Sequence, residues 1–218
     1  LLRRYLGGPS ERQTASSLPQ GGRSAADLVG PSAVEMGRDR VLVEAREQMR
    51  ACYVSSFPRH VGAGWLLSLL DMEEPVDVAI HLEPLPTGPI VRQLTRKLAE
   101  LHSSRMLDLK AGRIEEAYRA VAYEDVERLR DALQRGEERV FSASVYLCLR
   151  ALSPAALDDL TRRVEAALGG MLASSRPALY EMLPGLLSCL PAGQDHLGRC
   201  RNLDTTSAAT MIPFTSSH

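Results

Sequence analysis

The chain has 218 residues, of which 44% are hydrophobic and 24% charged, and its 26 basic and 27 acidic residues give a net charge of -1. This composition predicts a soluble globular protein with a core of its own, and the lack of a basic excess argues against a dedicated nucleic-acid-binding protein. Four scattered cysteines without a C-x-x-C pair favour a reducing cytosolic setting without disulfides: Cys52, Cys148, Cys189 and Cys200.

Three regions differ in composition. Residues 1–38 contain six glycines, three prolines and several serines, which predicts an extended or flexible arm. Residues 39–190 carry the dense periodic patterns of a folded domain. Residues 191–218 turn polar and rich in turn-forming residues again, which predicts a linker.

The folded region begins with a predicted strand and a short helix. Residues 49–57 have the composition of a strand, and Pro58 should end it because proline cannot donate into a sheet ladder. A short helix is predicted over residues 61–70. Within it, Trp65 follows two glycines and precedes two leucines, so we expect its side chain to anchor the core against the sheet.

A second strand is predicted from Val76 to Glu83, because apolar and polar residues alternate there with the period of a strand that buries one face. We expect Glu83 to order the end of this strand and Pro84 to stop it. His81 falls on the polar side of the alternation, which predicts a solvated histidine on the outer face of the sheet.

Two long helices come next. Apolar residues recur at helical spacing over residues 89–109 and again over residues 115–135, with Gly112 between the helices and Gly136 after them. The two helices predict a hairpin. Its charged residues make it a candidate interaction surface: Arg92, Arg96, Glu115 and Glu116.

The second half of the domain repeats the strand–helix–strand order. Residues 141–150 alternate most clearly of all and predict a strand. Ser153 should cap a helix that starts with proline and ends at the glycine pair after Leu168. A short strand over 172–176 and a helix over 178–187 follow.

This order predicts an α+β fold. Two split β-α-β units make a ferredoxin-like sandwich, here with the long helical hairpin inserted between the units. Because such folds carry many unrelated functions, the function has to be inferred from the chemistry of particular residues.

That chemistry gives no enzyme site. The lysines, Lys97 and Lys110, follow no glycine, so no phosphate-binding loop with its lysine and Ser/Thr can be formed. We therefore predict no catalytic, cofactor or metal residue in this chain. His196 and Cys200 have a ligand spacing but no second pair, and no G-x-S-x-G sequence indicates a hydrolase.

Several stretches resemble the N-terminal domain of the conjugative type IV secretion ATPases, the VirB-four class, also called the TrbE/CagE family. The last two stretches resemble the segment that precedes the ATPase domain in that family. The similarity follows the same order over residues 41–216 and is carried by the sequences FPRHVGAGWL (57–66), PVDVAIHLEP (75–84), LAELHSS (98–104), LPAGQDHLGRCRNLDT (190–205) and IPFTS (212–216).

The resemblance implies a non-catalytic docking and assembly domain of a large oligomeric ATPase that is cytoplasmic and peripheral at the inner face of the cell membrane. ATP and Mg²⁺ would bind in a C-terminal ATPase domain beyond this chain. Partners would be that domain, membrane channel subunits and neighbouring copies, with no direct nucleic-acid binding. Arg199, Arg201 and Asp204 would lie between the two domains and transmit the movement of the ATPase.

Two alternatives stay open at this point. A free-standing ferredoxin-like module that binds a ligand or regulates a partner would explain every feature except the closing segment. A small hydrolase would require a cleft in which histidine and carboxylate side chains converge.

Overall fold

The computed structural model describes residues 31, 33–58, 62–70, 72–110 and 117–211. Most of the predicted arm, the hairpin residues Glu115 and Glu116, and the sequence IPFTS lie outside these residues. Within the described ranges the chain forms seven strands and six helices, and the predicted α+β class is confirmed.

The strands form one antiparallel sheet: β1 (Val34–Met36), β2 (Val41–Val43), β3 (Glu47–Ser56), β4 (Val76–Pro84), β5 (Val140–Ala151), β6 (Ser174–Pro177) and β7 (Arg201–Asp204). The helices are α1 (Leu67–Leu70), α2 (Thr87–Lys110), α3 (Ala117–Arg135), α4 (Pro154–Gly170), α5 (Met182–Cys189) and α6 (Thr205–Ala209).

The centre of the sheet has ferredoxin-like topology. Its spatial order is β6, β3, β5 and β4, and each neighbouring pair is antiparallel. The first split unit is β3–α1–β4 and the second is β5–α4–β6. The amide of Leu85 donates to the carbonyl of Val140 at 2.8 Å. The end of β4 and the start of β5 therefore lie side by side, although the helical hairpin separates them along the chain.

Three strands are added to this centre. β1 and β2 extend the sheet beside the first residues of β3, whereas β6 pairs with the last residues of the same strand. β7 pairs with the first four residues of β5. It lies on the same side of β5 as β3, which pairs with the later residues of β5. Each of the two central strands therefore has different neighbours at its two ends.

One face of the sheet carries the larger apolar core. Alternate residues of β3, β4 and β5 point to this face, where α1, α4 and α6 cover them. Trp65 lies in this core with 9% of its surface exposed, and its ring contacts that of Phe57 edge-on at 6.3 Å. Helix α4 begins as its sequence predicts, with Ser153 Oγ accepting from the amide of Ala156 at 3.2 Å.

The opposite face is covered as well. Helix α5 and residues 193–199 lie over a second, smaller cluster that includes Ala51, Tyr146, Met182 and Leu197. The prediction of a solvated outer face at His81 is therefore wrong. Its Nε2 is 2.7 Å from the carbonyl of Ser188 on α5, and its ring contacts that of Tyr146 edge-on at 5.6 Å.

The predicted helical hairpin is confirmed. α2 and α3 pack on each other, and no other helix or strand of the described chain packs broadly on either. Gly136 ends α3 with a φ of 75°, a left-handed conformation that favours glycine. No helix in the described ranges is long and apolar enough to cross a membrane.

Some boundaries differ from the prediction. Pro84 belongs to β4 and pairs with Phe141, which proline tolerates because β4 is an edge strand. The region predicted as a linker contributes β7 and α6, and Ala208 and Met211 are buried in the larger core. β1 lies inside the predicted arm. These short elements carry too few apolar residues to show a period in the sequence.

Candidate functional site

The sheet splits at one end, and a cleft lies in the split. β3 and β5 are paired as far as Tyr53 and Tyr146. Beyond that point β7 takes the place beside β5, while β3 continues to Ser56 with β6 on its other side. The cleft between the end of β3 and residues 198–201 has a volume of about 450 Å³.

Among the residues that the structure describes, three arginines line this cleft and no acidic residue does. Arg176 lies opposite Tyr53 in the ladder of β3 and β6. The guanidinium of Arg199 stands over the ring of Tyr53, with Cζ 5.7 Å from the ring centre, and also pairs with Glu181. Arg201 Nη2 donates to the carbonyl of Ser55 at 3.3 Å and so bridges the split.

The three arginines differ in how their charge is balanced. The Glu181 carboxylate raises the pKa of Arg199 and keeps its guanidinium charged within an ion pair. Arg176 and Arg201 are exposed, and neither forms an ion pair with any residue that the structure describes. Two positive charges therefore face the cleft without a carboxylate partner.

Neutral polar groups complete the lining. The hydroxyls of Ser55 and Ser174 lie 3.0 Å apart across the ladder of β3 and β6, and Ser55 Oγ is 3.2 Å from the carbonyl of Ser174. Ser56 and Cys200 also line the cleft. Cys200 is exposed, whereas the other three cysteines are buried or half-buried, and all four are free.

A hydrogen-bonded aspartate holds the loop that carries Arg199. Asp195 Oδ1 accepts from Tyr146 Oη at 2.7 Å and from the amide of Gly198 at 2.8 Å, and Oδ2 accepts from Ser144 Oγ at 2.8 Å. Tyr146 Oη in turn accepts from the amide of Arg199 at 3.0 Å. This chain of bonds ties the loop to the middle of β5 and positions Arg199 at the cleft.

The protonation states follow from these contacts. Burial raises the pKa of Asp195, but the hydrogen bonds from Tyr146, the Gly198 amide and Ser144 outweigh it and hold the pKa below its usual value. Burial is the main reason why the pKa of Tyr146 rises to about 12. Asp195 is therefore an anion and Tyr146 a neutral hydroxyl at neutral pH.

A second depression of about 430 Å³ lies near His81, Ser144 and Asp195. These residue types could suggest a hydrolase, but Ser144 Oγ donates directly to Asp195 and not to His81. Because the carbonyl of Ser188 can only accept, Nε2 of His81 carries its proton and donates to it. The three side chains do not form a Ser–His–Asp relay, in which histidine bridges the other two.

The candidate site residues predicted from the sequence do not all lie together in the structure. Arg199 and Arg201 line the cleft together, but Asp204 points elsewhere and caps α6 by accepting from the amide of Ser207 at 2.8 Å. Glu83 is exposed at the end of β4, and Pro58 follows β3. The described residues contain no group of three or more histidine, cysteine or acidic side chains that could hold a metal ion.

Sequence reasoning missed Arg176, Tyr53 and Asp195. Asp195 could have been predicted, because an aspartate three residues before a glycine is typical of a turn in which the carboxylate accepts hydrogen bonds from the backbone amides. No local signal marks Arg176 or Tyr53, since both are ordinary strand residues and only the pairing of β3 with β6 brings them together.

No protein-family model matches the sequence, and no curated protein is significantly similar to it.

Proposed function

We propose that this chain is a non-catalytic docking and assembly domain of the type IV secretion ATPase class that its sequence resembles. In this role it lies in the cytoplasm at the inner face of the cell membrane and contacts channel subunits, neighbouring copies and its own ATPase domain, which binds ATP and Mg²⁺. The observation that carries the proposal is the helical hairpin of α2 and α3, which the ferredoxin-like core does not need.

The hairpin supports a docking role through its packing. Its helices have 24 and 19 residues, so at 1.5 Å per residue it reaches about 30 Å. It packs on itself and on no other helix or strand of the described chain to a comparable extent. A long element that contributes so little to the core is suited to bind a separate partner.

The end of the hairpin remote from the sheet exposes apolar side chains. Met106, Leu107 and Val121 are 45%, 67% and 43% exposed, and all three lie within the turns next to residues 111–116. In the same turns, Arg119 joins the two helices by bonding to Ser104 and Asp108. Exposed apolar residues grouped at the end of a projecting element are typical of a protein–protein contact.

The closing segment supports a mechanical link to a following domain. β7 pairs with the central strand β5, and the amide of Gly64 donates to the carbonyl of Thr210 at 2.9 Å. Leu197, Ala208 and Met211 are buried. Movement of a domain that follows this segment would therefore be transmitted to the central strand β5 and not absorbed by a flexible linker.

The experiment is excision of the hairpin in the gene at its native locus. Residues 87–136 are replaced by a short Asn-Gly turn, which the adjacent ends of β4 and β5 permit because Leu85 and Val140 are already hydrogen-bonded. We expect the protein to accumulate and fold, as judged by circular dichroism, while transfer of DNA or protein to recipient cells falls at least tenfold. Transfer at the wild-type level would refute the docking role of the hairpin.

A point variant with a matched control refines this test. Leu107→Glu places a charge among the exposed apolar residues of the hairpin, whereas Leu152→Glu places one on a leucine that is 72% exposed at the other end of the domain. We expect Leu107→Glu to lower transfer and Leu152→Glu to leave it unchanged. Equal effects would show that the hairpin end has no special role.

The arginine-lined cleft favours a second candidate, a free-standing ferredoxin-like module that binds a ligand or regulates a partner. The gene separates the two, because the docking proposal requires a G-x-x-x-x-G-K-[ST] sequence in the same reading frame after residue 218. A stop codon at that point would favour the free-standing module.

A further inference from the structure

We propose that the cleft between the end of β3 and residues 198–201 binds a small phosphate-bearing molecule, with Arg176 and Arg201 as the residues that contact the phosphate. The cleft lies on a different surface from the helical hairpin, so phosphate binding there does not depend on which of the two functions is correct.

The charge of the cleft is positive and suits an anion. Within the described chain, Arg176 and Arg201 face it without any carboxylate partner, and none of the described residues that line it is acidic. A phosphate monoester carries a charge of about -1.5 to -2 at pH 7, which matches two guanidinium groups. Arginine also donates two parallel hydrogen bonds to phosphate oxygens, a geometry that lysine does not offer.

The third arginine has a different part. Arg199 is held by Glu181 and lies over Tyr53, while its amide is bound by the hydroxyl of Tyr146. The loop is thereby fixed in place before a ligand arrives, so binding need not order it. Arg199 is a positioning residue that shapes one side of the cleft.

The size and the neutral groups specify the ligand further. A volume of about 450 Å³ is larger than one phosphate ion needs and lies within the range of small-molecule sites. The hydroxyls of Ser55 and Ser56 at the end of β3 and of Ser174 at the start of β6 supply donors and acceptors for the rest of a polar molecule. Phosphate esters of small polyols have this combination of charge and hydroxyl groups.

Cys200 provides a reporter inside the cleft. It is exposed, whereas burial raises the pKa of Cys52 and of Cys189 to about 12 and also raises that of Cys148. Because the thiolate is the reactive form, N-ethylmaleimide should modify Cys200 first. A molecule bound among Arg176, Arg201 and Ser174 would shield this thiol.

The test measures how fast the full chain reacts with N-ethylmaleimide as glycerol 3-phosphate or inorganic phosphate is added, with chloride at equal ionic strength as the reference. We expect both phosphates to slow the reaction saturably and citrate to have little effect. Arg176→Gln should weaken this protection at least tenfold and Arg201→Gln several-fold. The exposed Arg162→Gln on α4 should leave it unchanged, as should Leu107→Glu on the hairpin.

Protection no greater than that by chloride would overturn the proposal, and so would wild-type protection in both Arg176→Gln and Arg201→Gln. Citrate protecting as well as the phosphates would also overturn it, because the site would then recognise carboxylates. Folding is checked by thermal melting, and Arg176→Lys adds a folded variant that keeps one charge. It should bind phosphate more weakly than wild type but more tightly than Arg176→Gln.

Discussion

The two faces of the central sheet are closed by different means. On one face, apolar side chains of β3, β4 and β5 meet α1, α4 and α6 in a continuous core. On the other, small residues let α5 approach closely, and the loop from Asp195 to Arg199 is held by hydrogen bonds from Tyr146 and Ser144. The first face is held by apolar burial, and the second depends more on close fit and on polar contacts.

This difference explains why the candidate binding site lies on the second face of the sheet. The apolar face has little room for polar groups beyond the buried Arg50, which bonds to Thr161 and pairs with Asp39 and Asp158 at its margin. The second face ends in the arginine-lined cleft, and the hydrogen bonds of Asp195 position the loop that lines it. A loop held by hydrogen bonds can present charged side chains that a sealed core could not accommodate.

The largest effect is expected on the apolar face. Leu147 is fully buried in the core, so Leu147→Ala should lower the free energy of unfolding by about 2–5 kcal/mol through lost burial and the cavity left behind. Urea denaturation at pH 7 measures this. Leu152→Ala removes an exposed leucine and should change stability by less than about 0.5 kcal/mol. Similar losses in both variants would contradict the core assigned to this face.

An intermediate effect tests the close fit of α5. A Cβ atom on Gly185 would lie 2.6 Å from the Cβ of Ala51, so Gly185→Ala should destabilise the protein by about 1–3 kcal/mol. Gly169 in α4 is the matched control, because a Cβ there meets nothing within 4 Å and alanine should stabilise the helix by about 0.4–1 kcal/mol. The two changes should therefore shift the urea midpoint in opposite directions. A stabilising Gly185→Ala would show that α5 sits further from the sheet.

The smallest effect tests the polar contacts by pH. The pKa of Asp195 is lowered in the folded protein, so its hydrogen bonds contribute stability at neutral pH that is lost as the pH falls below about 4. Asp195→Asn should cost about 1 kcal/mol at pH 7 and flatten the loss of stability between pH 4 and pH 2. Chemical denaturation across this range measures both slopes. An unchanged acid slope would mean that Asp195 contributes no pH-dependent stability.

Much of the fold could be predicted from the sequence because its signals are local. Alternation from residue 141 to 150 predicted β5, helical spacing predicted α2 and α3, and Ser153 with its following proline predicted the start of α4. Their order was enough to predict the ferredoxin-like topology. The strands β1, β2 and β7 have three or four residues each, too few to show a period, and the prediction did not include them.

The candidate site was only partly accessible to the same reasoning. Arg199 and Arg201 lie two residues apart and could be noticed together, but Asp204, grouped with them in the sequence, caps a helix instead. Arg176 and Tyr53 are more than a hundred residues apart and become neighbours only through the ladder of β3 and β6. His81 was misplaced because the alternation of a strand does not reveal that a later helix will cover its polar side.

The sequence by itself determined most of the longer strands and helices, since periodicity and capping act between residues a few positions apart. Tertiary structure alone decided which strands pair, which face α5 covers and where the sheet splits. These depend on contacts between distant residues, such as Tyr146 with Asp195 and Arg201 with Ser55. The helical hairpin belongs to the first kind and the arginine-lined cleft to the second, because the hairpin is made of neighbouring residues and the cleft of distant ones.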